Sequence, residues 1–98
     1  MCFKSNARRR ILSKIYYLSY GKRFIYIKVK DLKRNKLSFD ILNKKGCIKV
    51  EVFDSNNSVT YTLDNPETNV YEVSLEVGQK YKIVITTKAA VGHYYVYF

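Results

Sequence analysis

The chain has 98 residues and a formal net charge of +10, with 47% hydrophobic and 27% charged residues. That length fits one domain, and that apolar content is too high for a disordered chain. No run approaches the ~18 consecutive apolar residues of a membrane-spanning helix, and two cysteines make neither a disulfide framework nor a zinc cluster.

The charge is lopsided. Residues 1–49 hold fifteen Lys/Arg against two Asp/Glu, a net +13, whereas residues 50–98 hold three Lys against six acids, a net −3. A basic half of this kind attracts nucleic acid, anionic lipid or the anionic polymers of a cell wall, and it also makes an ordinary solvated face.

In chain order, residues 1–20 read as a basic N-terminal arm or an extra strand ahead of a domain at 21–98. Arg8, Arg9 and Arg10 lead into the apolar stretch 11–18 as a secretory signal would, but Lys14 interrupts it and no small-residue cleavage site follows. Ile11, Ile15 and Leu18 lie at helical spacing with Gly21 as a cap, while 15–20 also suits a strand. Three arginines at the positive end of a helix dipole favour the strand or extended arm, with residues 1–10 disordered.

From Lys22 onward a period of two takes over. Ile25, Ile27 and Val29 share a face, as do Leu37, Phe39 and Ile41, then Ile48, Val50 and Val52. Tyr71, Val73 and Leu75 repeat the pattern, followed by Ile83 and Ile85, and Val96 near the end. Turn formers break the pattern at 31–35, 43–46, 54–58, 64–69, 77–79 and 88–92, leaving segments 22–30, 36–42, 47–53, 58–63, 70–76, 80–87 and 93–98. Short strands at this spacing predict an all-β fold, an antiparallel β-sandwich of jelly-roll or Ig-like type with about seven or eight strands. The last segment is apolar on both faces, which predicts a central strand or one whose outer face is covered.

Catalytic chemistry has little material. His93 is the single histidine and opens a tyrosine-rich strand, where a partly buried structural role is expected. Glu51, Glu72 and Glu76 fall at outward strand positions, and Asp54 and Asp64 fall in turns. No glycine-rich phosphate loop or calcium-loop spacing occurs. The reading is a non-enzyme with no cofactor and no metal.

A basic and aromatic mixture is the best lead to a ligand. Phe24 and Tyr26 alternate with Lys22, Lys28 and Lys30 on one face, beside Arg23, and Arg34, Lys36, Lys44, Lys45 and Lys49 follow from the next turns and strand. Aromatics that stack bases and cations that neutralise phosphate are what single-stranded nucleic acid needs. The lead holds only if those aromatics are exposed; facing a second sheet they would be core.

Further segments carry a family resemblance. These are Leu37-Ser38-Phe39-Asp40-Ile41, Lys45-Gly46-Cys47-Ile48-Lys49-Val50, Val77-Gly78-Gln79-Lys80-Tyr81-Lys82-Ile83 and Gly92-His93-Tyr94-Tyr95-Val96. Over residues ~22–98 they resemble small jelly-roll sandwiches of Gram-positive bacteria, found in surface lipoproteins and as C-terminal domains of secreted peptidases; hairpin mechanics contribute to the same motifs. The resemblance implies a bacterial, non-catalytic accessory or adhesion module. It favours the cell envelope or secretion over the cytoplasm, with a protein or polysaccharide as partner. No lipobox precedes a cysteine. The alternative is a module that grips nucleic acid through the basic half.

Overall fold

The computed structural model describes the backbone of residues 10–98, with side chains placed for 11, 20–33 and 35–98. Five strands form one antiparallel sheet: β1 (Arg10–Lys28), β2 (Lys36–Phe53), β3 (Val59–Asp64), β4 (Asn69–Ser74) and β5 (Lys80–Tyr97). A single 3-10 turn (Leu32–Arg34) lies between β1 and β2, and there is no α-helix among the described residues. The order is β1-β5-β2, with β3 and β4 dividing the far edge of β2 between them. β4 pairs with Lys36–Ile41, and β3 pairs with Lys49–Phe53.

Geometry forces the three long strands to bend. A straight 18-residue strand would span about 60 Å, yet the longest dimension of the molecule is 39 Å. The connections say the same. Lys28 pairs with Lys80 at the start of β5, whereas Ser38, near the start of β2, pairs with Tyr97 at its end. The ten steps from Lys28 to Ser38 reach at most about 36 Å, well short of the roughly 58 Å of a straight Lys80–Tyr97, so β5 cannot run straight between its two ends. Connections 29–35 and 75–79 run side by side. They are tied by Val29 N–H to Gln79 O (3.0 Å), Gly78 N–H to Val29 O (2.8 Å) and Leu75 N–H to Asn35 O (2.6 Å).

The bend runs across the sheet where the ladder slips, at 16–21 of β1, 43–47 of β2 and 88–91 of β5. Gly46 (φ +78°) and Ala89 (φ +50°) are the left-handed residues of this line in β2 and β5. A Cβ on Gly46 would collide with the backbone carbonyl of Ala89, so glycine is the residue the close approach permits. Bulged strands turn corners in this way. On the far edge, the loop between β3 and β4 sits at the same level. Asn65 Oδ1 accepts from Asn43 Nδ2 (3.0 Å) and from Ile48 N–H (3.3 Å), and Asn43 Nδ2 also donates to Pro66 O (2.7 Å).

The sheet thus has a β4 half and a β3 half whose inner faces share one core. In β2 the buried set is odd-numbered before the bend (Leu37, Phe39, Ile41) and even-numbered after it (Ile48, Val50, Val52). In β5 it passes from Tyr81, Ile83 and Ile85 to Ala90, Tyr94 and Val96. The extra residues of the bulges change the parity while keeping the same face inward. Phe39 of the β4 half stacks on Tyr61 of the β3 half, with centroids 6.5 Å apart and planes within 7°.

All fifteen residues expected in the core lie in it or pack against it. The segment count is corrected. Segments 36–42 and 47–53 are one strand, and so are 80–87 and 93–98. The polar clusters at 43–46 and 88–92 bend the chain without reversing it, because the neighbouring strand passes the same point and the ladder, after slipping there, resumes on the far side. Residues 10–20 are strand, continuous with 21–28; the expectation of a disordered arm falls, for residues 1–9, outside the described residues. β5 lies between β1 and β2 as its apolar faces require.

Candidate basic and aromatic face

The outward side of the β3 half gathers the lysines and aromatics. On β1, Lys22, Phe24, Tyr26 and Lys28 alternate with the inward Ile25 and Ile27. The register then builds rows across the sheet. Tyr26 lies opposite Lys82, which lies opposite Phe53; Lys22 lies opposite Thr86, which lies opposite Lys49; and Lys28 lies opposite Lys80. Phe24 is 50% exposed and Tyr26 73% exposed, so neither is core. Val84, between Phe24 and Glu51 in the central strand, is buried although it points to this side.

Charge on this face is weakly countered. Lys49 Nζ lies 3.9 Å from Glu51. Among the described residues no carboxylate lies within ion-pair distance of Lys22, Lys28, Lys80 or Lys82. Lys82 Nζ sits 4.9 Å above the Phe53 ring and donates to Asn57 Oδ1 at 3.3 Å. The directly opposed Lys28 and Lys80 cost stability, since like charges on a cross-strand pair repel. An open depression of about 440 Å³ adjoins them, lined by Tyr26, Lys28, Lys80, Lys82, Asp54 and Ser55 among others. Asp54 is engaged locally: its Oδ1 accepts from Asn56 N–H (2.9 Å) and Ser58 N–H (3.0 Å), closing the β2–β3 turn.

Of the eleven sequence candidates, five share this face: Lys22, Phe24, Tyr26, Lys28 and Lys49. Arg23 falls on the opposite side of β1, opposite Ile85, where its charge acts on Tyr94. Lys30 is exposed in the connection after β1, and Arg34 belongs to the 3-10 turn. Lys36 stands in the β4 half, 3.7 Å from Glu72. Lys44 and Lys45 are exposed at the bend. The one surface expected for all of them is therefore divided, because the fold sends successive turns to different ends of the sheet. Lys80, Lys82 and Phe53 are the members that sequence reasoning missed. The alternation of Lys80 and Lys82 with Tyr81 and Ile83 was the available signal, hidden by the net acidity of residues 50–98.

His93 lies on the outer side of the β4 half, its ring 4.9 Å from that of Tyr95. Among the described residues no three His, Cys, Asp or Glu side chains gather in a metal-binding group, and Cys47 is a free, exposed thiol. No helix among them is long and apolar enough to cross a membrane. No family model matches the chain, and no curated protein sequence matches it either.

Proposed function

We propose that the protein is a non-catalytic binding module, a β-sandwich formed by one sheet folded on itself, whose outer β3-half face holds an anionic polymer. Single-stranded nucleic acid is the ligand this face suits best. The observation that carries the reading is the exposure of Phe24 and Tyr26 within rows of lysines of which, among the described residues, Lys22, Lys28, Lys80 and Lys82 have no carboxylate at ion-pair distance and Lys49 alone meets one, Glu51. Exposed rings offer stacking surfaces that accept any base, and the flanking ammonium groups neutralise phosphate between them. A solvated lysine face needs no such rings, and a core needs no such lysines. An envelope-associated accessory module that binds a polysaccharide or a protein, as the jelly-roll resemblance implies, competes for the same tyrosine.

The two readings separate on salt. If Lys22, Lys28, Lys80 and Lys82 each neutralise one phosphate, the logarithmic salt slope is about −3 for a single strand, and affinity falls roughly 50-fold between 50 and 200 mM salt. Fluorescence anisotropy of a labelled oligothymidine measures this. Serine at those four positions should flatten the slope, and Tyr26→Ala should weaken binding by about 1–3 kcal/mol at any salt. No binding at low salt, together with binding of a neutral glucan that ignores salt, would transfer the face to a polysaccharide.

A further inference from the structure

We infer that the free edge of β1 is the interface of a two-fold dimer, in which Tyr20–Lys28 pairs antiparallel with the same segment of a second copy, centred on Phe24. Among the described residues, β1 closes one side of the sheet and has β5 as its only strand partner. A 19-residue strand with an open edge is a template for another strand. The backbone groups that would pair are identifiable. Val29 turns both its N–H and its C=O toward the β5 side. The ladder runs without a slip from Gly21 to Lys28, so the groups of Lys28, Tyr26, Phe24 and Lys22 point to the open edge.

Lysines on an edge strand ordinarily repel a second strand. Here the order of residues defeats that protection against a second copy of the same chain. With Phe24 on the axis, Phe24 meets Phe24, Lys22 meets Tyr26, Arg23 meets Ile25 and Lys28 meets Tyr20. Every cation lies opposite an uncharged residue, and both lysines lie opposite a tyrosine ring. Neighbouring registers do worse. Centring on Lys22 or Arg23 sets that cation against its own copy, and centring on Ile25 sets Lys22 against Lys28. Centring on Tyr26 pairs only five residues and carries Lys22 past the partner strand's end. The exposure agrees with the register: Tyr20, Phe24 and Tyr26 are 71%, 50% and 73% exposed, three large aromatics on one open strand.

The two-fold axis stands perpendicular to the sheet, so outward residues of both copies remain outward. Two basic aromatic faces then join edge to edge, although the pairing itself needs no ligand and holds whether or not nucleic acid binds.

Sedimentation of the full chain carrying Cys2→Ser and Cys47→Ser, from micromolar to sub-millimolar concentration, tests the pairing. A concentration-dependent dimer is expected. Tyr26→Lys places a second cation opposite Lys22 twice per dimer and should weaken association roughly tenfold or more. Phe24→Cys in the same background should form an intermolecular disulfide under mild oxidation, since hydrogen-bonded partners have Cα atoms about 5.5 Å apart, within disulfide reach. Thr62→Cys, on β3, should stay reduced. Both sites are exposed, and circular dichroism verifies that each variant is folded. A monomer throughout the range, a dimer indifferent to Tyr26→Lys, or a Phe24→Cys that links no faster than Thr62→Cys would each overturn the inference.

Discussion

The outer faces of the two halves hold similar residue types and treat them differently. On the β4 half, His93, Tyr95 and Tyr97 follow one another along the central strand, with ring centroids 4.9 and 6.4 Å apart. Polar groups there engage each other, Ser38 Oγ with Glu72 (3.3 Å) and Lys36 with Glu72 (3.7 Å). On the β3 half, the aromatics stand on an edge strand and the lysines around them have few acids to meet. A side chain on a central strand leans on neighbours from both sides, whereas one on an edge strand keeps a flank open. Among the chain's ten tyrosines, Tyr95 and Tyr97 on the central strand therefore pack against neighbouring rings while Tyr20 and Tyr26 on the edge strand stand exposed, and strand position decides which.

The difference is confined to the outside, because both halves draw on one core. Removing the link between them should break both at once. Phe39→Ala deletes a fully buried ring that stacks across the interior on Tyr61, and the expected loss is about 3–5 kcal/mol. Urea melts followed by far-ultraviolet circular dichroism and by tyrosine fluorescence should lose stability together. If the two probes separated into two transitions, the halves would be independent and the shared core wrong.

The bend comes next in size. Gly46→Ala puts a methyl group against the Ala89 carbonyl at a φ of +78°, costing about 2–4 kcal/mol from strain and collision combined. Gly78→Ala is the informative control. Its φ is +88° but nothing lies within 4 Å of the added carbon, so only the backbone term of roughly 1 kcal/mol remains. Equal losses in the two variants would show that strain alone matters and that the close approach at the bend carries no weight.

The bend is also where the sequence is hardest to read. Residues 43–46 and 54–58 carry the same turn chemistry, yet the first bends a strand and the second reverses one. What separates them is a partner: β5 accompanies β2 through 43–47, and that information is non-local. The parity change from Ile41 to Ile48 was visible, but a hairpin and a bulge both produce it. Most of the core was legible, since inward residues keep period two on either side of each slip, but Tyr81, Ala90 and Tyr94 were not expected in it, Ala90 because 88–92 read as a turn. The candidate face was legible along β1 and opaque across it. Lys80, Lys82 and Phe53 join Tyr26 and Lys28 only through register, which alternation within one strand does not encode.

The smallest effect expected is on alkaline stability, and it compares the two halves from within. Tyr61 of the β3 half and Tyr94 of the β4 half both have pKa values raised above the ordinary 10.0. Burial is the main cause for each. The charge of Tyr71 adds to it at Tyr61, while the Arg23 guanidinium opposes it at Tyr94. Above pH 10.0 the unfolded phenols ionise while the folded ones keep their protons. The native state then binds more protons than the unfolded state, so stability is complete below pH 10 and falls as pH rises beyond it. Tyr94→Phe and Tyr61→Phe should each make that decline shallower in urea midpoints taken between pH 9 and 11. Arg23→Gln should steepen it, because removing the guanidinium leaves the burial effect at Tyr94 unopposed. It should leave the contribution of Tyr61 unchanged, so the steepening should vanish when Arg23→Gln is combined with Tyr94→Phe and persist with Tyr61→Phe. A decline that Arg23→Gln does not alter would mean that Arg23, although on the inward side of β1, does not act on the phenol of Tyr94 across the core.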